Sequence, residues 1–237
     1  MGHLIFRILF KFKYQILRRA KLSKILHFKY TGLNSIDKHL ENLLNFNNGY
    51  YVELGANNGI SYSNSLYFER YRGWAGVLIE PVPGRYKELI KNRASSNYFS
   101  NAACVGFSFN GELIQLEYSD LMTTTLGVDS DLADPIQHAK DGSKFWGGDS
   151  YKFSAPAQTL NAILDLAKAP AKIDFLSLDV EGVEIEVLRG IDHAKYRFAV
   201  ICIESRSFEV LNNYLESLGY RYILTLGTLD YIFIDNN

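Results

Sequence analysis

From residue 48 onwards the chain alternates between short apolar runs and amphipathic stretches, and that alternation leaves few folds open to it. "GYYVEL", "WAGVLIE" and "YFSNAACV" read as strands, and "SYSNSLYFERY" and "GRYKELIKNR" between them read as helices. Further on, "IDFLSLDV" and "FAVICIES" read as strands, set among the helical segments "AQTLNAILDLAK", "EIEVLRGI" and "FEVLNNYLESLG". Strands that alternate with helices imply βαβ units and a parallel sheet. The last two apolar runs, "YRYILTL" and "DYIFIDN", are separated only by a short "GT" region and read as an antiparallel hairpin. The expectation is an α/β sandwich with a mostly parallel sheet and a C-terminal hairpin. The rhythm breaks between about 105 and 157. There "GELIQLEY" suggests one extra strand, and the polar, turn-rich stretch after it reads as an irregular loop. A loop of that length in a compact domain is a functional lid or is disordered.

The length of 237 residues suits one sizeable domain, expected over residues 46–237. Before it, residues 1–30 hold eight basic side chains and no acid, which leaves 17 basic groups against 26 acids elsewhere, a balance of −9. In this segment Ile5, Ile8, Leu9, Phe12 and Ile16 share one helical face, with Arg7, Lys11 and Arg18 opposite. Residues 1–45 are therefore expected to be a basic amphipathic helical segment. It would lie on an anionic membrane surface or a partner protein, or pack on the domain as a solvated helix. The acidic remainder would repel phosphates and argues against a nucleic-acid partner. The two cysteines, Cys104 and Cys202, each sit in an apolar run without metal-site spacing and read as reduced core residues. A cytoplasmic protein is expected, with the basic segment as its candidate contact to the inner face of the membrane.

In open α/β sheets ligands bind beyond the carboxyl ends of the strands. The first such end carries "VELGANNG". A dinucleotide fingerprint would place a glycine where Asn57 stands, so that a pyrophosphate can approach the backbone. A ligand without phosphates has less need of that gap, and S-adenosylmethionine is one. Glu53 could face its ammonium group, or else cap the following helix. Glu80, at the end of "VLIEP", could accept both ribose hydroxyls, a role that dehydrogenases share. Gly55, Ala56, Asn57, Gly59, Ser63, Pro81, Asn101, Ala102 and Asp179 complete the expected cofactor set, with Ser100, Asn101 and Ala102 flanking the adenine.

A second cluster follows in "FLSLDVEGVEIEVLRG" and "ICIES", where Asp179, Glu181 and Glu204 end neighbouring strands. In this order and spacing, "VELGANNG", "GVLIEP", "FLSLDVEGVEIEVLRGI" and "ICIES" resemble the FkbM family of methyltransferases over about residues 48–235. The resemblance implies a class I, Rossmann-like three-layer sandwich with a seven-stranded sheet, S-adenosylmethionine as donor, and usually O-methylation. Family acceptors are often sugar or polyketide-like hydroxyls, and many bacterial members serve polysaccharide biosynthesis. A small-molecule or glycan acceptor is expected here.

An acceptor oxygen must be held in line about 3 Å from the methyl group. A general base would add on the order of 10²–10⁴-fold. Asp179 and Glu181 are the candidate bases, and Glu204 the orienting or second base. Alternatively the three would bind one Mg²⁺. His138 is a rival base, but a lone histidine in a polar insertion reads as a solvated surface residue. Of the aromatic residues in the insertion, most are expected to form its own small core and Trp146 to form a substrate wall. A nicotinamide oxidoreductase lacks its third glycine here, and a non-catalytic nucleoside-binding module would not need these acids.

Overall fold

A computed structural model describes residues 28–237. Of the helical segment expected over residues 1–45, residues 1–27 lie outside the described residues, and its later part packs on the main sheet. The main sheet has seven strands: β1 (Tyr50–Leu54), β2 (Ala75–Ile79), β3 (Tyr98–Ser100), β8 (Lys172–Leu178), β9 (Arg197–Glu204), β10 (Tyr220–Leu226) and β11 (Asp230–Asp235). Their order is β10-β11-β9-β8-β1-β2-β3. Within this sheet β1, β2, β3, β8 and β9 pair in parallel, as the alternation predicts. The terminal hairpin forms too, but β11 does not simply lie at an edge. It inserts between β9 and β10 and runs antiparallel to both.

Alternate residues along the strands point to opposite faces, and helices cover both. Val52, Leu54, Leu176, Leu178, Ile201 and Ile203 pack against α5 (Leu160–Leu166), α6 (Glu184–Leu188) and α7 (Phe208–Ser217). Tyr51, Leu78, Phe175, Val200 and Cys202 pack on the other side against α1 (Ile36–Leu43), α2 (Leu66–Arg72) and α3 (Pro83–Asn92). Ile36, Leu40 and Leu44 of the α1 region belong to this second core. Each such side chain removed from water stabilises the fold by roughly 1.5–3 kcal/mol. Both cysteines are buried and free. Among the described residues no helix is long and apolar enough to cross a membrane.

The insertion is not an irregular loop. It holds β5 (Leu113–Tyr118), β6 (Thr124–Thr125), α4 (Pro135–Trp146) and β7 (Tyr151–Gln158). With β4 (Ala103–Cys104) these strands make a second sheet in the order β4-β7-β5-β6. The run "YFSNAACV", one strand by periodicity, is therefore divided, with β3 in the main sheet and β4 in the small one. The sequence does carry the signals for α4. Asp134 caps it by accepting from Gln137 N–H, Pro135 opens it, and Gly147 closes it at φ +77°.

Candidate active site

The chain winds from β1 outward to β3 and then returns to β8 on the other side of β1. The carboxyl edge of β1 and β8 is thus the place where strand order reverses and a crevice opens. Gly55 follows β1 at φ +75°, and a Cβ there would lie 2.0 Å from the carbonyl oxygen of Asp179. Only glycine lets the two strand ends approach so closely. The crevice encloses about 740 Å³, including its open mouth. Its walls come from Gly55 and Asn57 after β1, Ile79, Glu80 and Pro81 after β2, Ala102 and Cys104 near β4, and Asp179 and Glu181 after β8. The insertion supplies the remaining wall through Leu116, Asp120, Leu121, Thr123 and Thr125.

Glu80 shapes the first turn. One carboxylate oxygen accepts from Asn57 N–H and the other from Val82 N–H, both at 2.8 Å. Burial pushes its carboxyl up to about 7, although both backbone donors oppose that rise. Asn57 takes φ +46°, and its side chain accepts from Asn58 N–H, so the expected second-glycine position carries an amide bonded to the next peptide group. Gly59 serves packing instead: a Cβ there would meet Leu89 and Arg93 of the α3 region.

Glu53 is placed differently from the sequence expectation. It does not line the crevice. Its carboxylate accepts from Ser63 Oγ, Asn64 N–H and Ser65 Oγ and pairs with Arg93. The reason is strand parity: Glu53 shares its face with Tyr51, whose hydroxyl meets Arg93 and Glu69 on the α2–α3 side. Ser63 is drawn into the same buried network, and Ala56 packs in the core beneath α2. Asn101 donates to the carbonyls of Glu80 and Pro81 and so fixes the end of β2 from behind. Ser100 meets Gln158 at 3.4 Å.

Asp179, Glu181 and Glu204 do come together, with carboxylate oxygens all within 4.8 Å of one another. Asp179 opens onto the crevice. Desolvation at the end of β8, and then the charges of Glu204, Glu181 and Asp230, raise its carboxyl well above the ordinary range, although the residue is exposed. Water in the crevice weakens the first cause, and the repulsion among the acids persists. Burial, followed by Glu181 and Asp230, pushes Glu204 up to about 8 against the pull of Arg206. Glu181 sits at φ +56° in the turn between β8 and α6. The insertion braces that turn, since Thr124 Oγ1 donates to the Glu181 carbonyl and Asp131 N–H to that of Gly182.

Several site residues go beyond those the sequence singled out. Arg206 donates to Glu181 at 2.9 Å and lies 3.3 Å from Glu204. It follows the third acid by two positions, so its opposite charge was the available signal. Asp230, opposite Glu204 in register on β11, adds a fourth acid. Glu184 accepts from Val180 and Gly182 N–H and holds the acid-bearing turn. His138 is not a solvated surface residue: its Nε2 lies 2.8 Å from Glu181 Oε2. Trp146 lies outside the crevice and lines a neighbouring groove.

A crevice walled by Glu80, Asp120, Asp179 and Glu181 favours a cationic ligand and disfavours a phosphate. The carboxylate trio has the donor chemistry for a hard cation, but Arg206 already provides a positive charge to two of its members. The mostly parallel α/β sheet with an acid-lined crevice at its switch point is consistent with a methyltransferase fold. The profile described as "Methyltransferase FkbM domain" matches residues 53–222, and the chain belongs to that family. A search of curated proteins returned no match.

Proposed function

We propose that the protein is an S-adenosylmethionine-dependent O-methyltransferase acting on a hydroxyl of a sugar or glycan-related acceptor. The observation that carries this reading is the meeting of Asp179, Glu181 and Glu204 beside a crevice that also holds Gly55 and Glu80. S-adenosylmethionine supplies an electrophilic methyl group on a sulfonium. Glu80 suits the ribose hydroxyls, because each of its oxygens accepts only one backbone N–H and retains a lone pair. Ile79, Pro81 and Ala102 offer an apolar wall to the adenine. Asp179 and Glu181 offer negative charge to the sulfonium and ammonium groups.

An acceptor hydroxyl needs to lose its proton as its oxygen bonds to the methyl carbon. A carboxylate raised towards neutrality is a better general base than one at its ordinary value, and both Asp179 and Glu204 are raised. Asp179 is the assigned base because it opens onto the crevice, whereas Glu181, which lines it too, is tied to other side chains. Arg206 and His138 hold Glu181 beside it. A Mg²⁺ on the trio would compete with the Arg206 guanidinium, which favours the metal-free form of the mechanism.

Isothermal titration calorimetry with S-adenosylmethionine and with NAD tests the donor. Binding of the first and not the second is expected, and NAD binding alone would overturn the reading. For the base, Asp179→Ala is expected to bind S-adenosylmethionine and to lose at least about 10²-fold in methyl transfer to saccharide acceptors. Unchanged turnover in that variant refutes the assignment.

A further inference from the structure

Beyond the crevice, β5, the Asp120 turn and the end of α4 enclose a second, open groove. Tyr118, Trp146 and Tyr151 form its aromatic sides, and Asp120 and the exposed Asp149 also line it. The groove encloses about 580 Å³ including its mouth. Tyr118 and Tyr151 stack with ring centroids 4.7 Å apart, which fixes their planes, and Tyr151 is 51% exposed. Asp120 lines both this groove and the crevice that holds Asp179, so the two spaces adjoin through one side chain. Arg85 holds Asp120 in place at 2.7 Å.

We propose that this groove is a second saccharide subsite, occupied by a sugar ring next to the one that is methylated. The inference rests on the glycan reading above and makes the acceptor an oligosaccharide or glycoconjugate rather than a free monosaccharide. Rigid aromatic faces suit the C–H faces of a pyranose, and carboxylates accept strongly from its hydroxyls. Arg85 already pairs with Asp120, so Asp149 is the acid that disfavours an anionic occupant, and the open shape disfavours a lipid chain. The adjoining crevice fixes where the next ring would lie.

The chain has two tryptophans, and Trp74 is buried in the core at 2% exposure, so saccharide-induced changes in emission report on Trp146. The full chain, saturated with S-adenosylhomocysteine, would be titrated with hexose and N-acetylhexosamine probes of one to four rings. Probes of two or more rings are expected to bind about tenfold more tightly than the matching methyl glycosides. Tyr151→Ala and Asp149→Asn are each expected to remove that gain and leave methyl-glycoside and S-adenosylmethionine affinities unchanged. Equal affinity at every length, or a gain that survives both substitutions, overturns this inference alone. Binding of no saccharide by a protein that binds S-adenosylmethionine overturns it together with the glycan part of the proposed function.

Discussion

Glu53 and Glu80 end adjacent strands and look alike in sequence, yet their carboxylates have opposite tasks. Glu80 faces the crevice and anchors its turn, whereas Glu53 is enclosed by serines and Arg93. The second position in "VELGA" was legible as an acid that needs a partner. Which partner it finds depends on residues 10 to 40 positions away. Glu204 shows what such a site does to stability. Its carboxyl rises from 4.5 to about 8, so between those values the folded protein binds more protons than the unfolded chain. Its contribution is fully present below about pH 4.5 and is lost as pH rises through 8. Glu80 and Glu184, both near 7, act in the same direction. The melting temperature of the protein is expected to fall from pH 5 to pH 8.5, and Glu204→Gln to flatten that fall. Parallel profiles for the two proteins in differential scanning fluorimetry would rule this out.

Elements are tied to the site by a few polar side chains. Arg93, at the C-terminal end of α3 and with its side chain fully buried, reaches Glu53 on β1, Glu69 on α2 and the carbonyl of Gly59 in the first turn. Replacing it with methionine leaves two buried carboxylates without their cation. The expected loss is about 3–5 kcal/mol in urea unfolding, and a loss below about 1 kcal/mol would show the network to be dispensable. Helix α4 makes a complementary point. Its cap, proline and terminal glycine were all visible in the sequence, but its polar composition hid it because periodicity is a weak guide to a short, half-exposed helix. His138 reaches Glu181 only because that helix forms.

The whole molecule consists of two sheets with unequal cores. The main sheet is sandwiched between two large apolar clusters, while the insertion depends on a small cluster of Ala103, Val105, Ile114, Leu116 and Ala155. Amides of β5 and β7 are therefore expected to exchange with solvent deuterium at least about tenfold faster than those of β8 and β9. Because Leu116, Thr123 and Thr125 line the crevice, S-adenosylhomocysteine should slow the exchange of the insertion. Equal protection in both sheets would mean that they open as one unit. The sequence by itself determined the parallel strands, the terminal hairpin and the meeting of Asp179, Glu181 and Glu204, because strand periodicity and strand ends are local properties. Only the tertiary structure decided that β11 enters between β9 and β10, that one predicted strand serves two sheets, and that Arg206 and His138 both bind Glu181. Those outcomes depend on contacts between segments far apart in the chain, which compete for the same faces and charges and leave no periodic trace in the sequence.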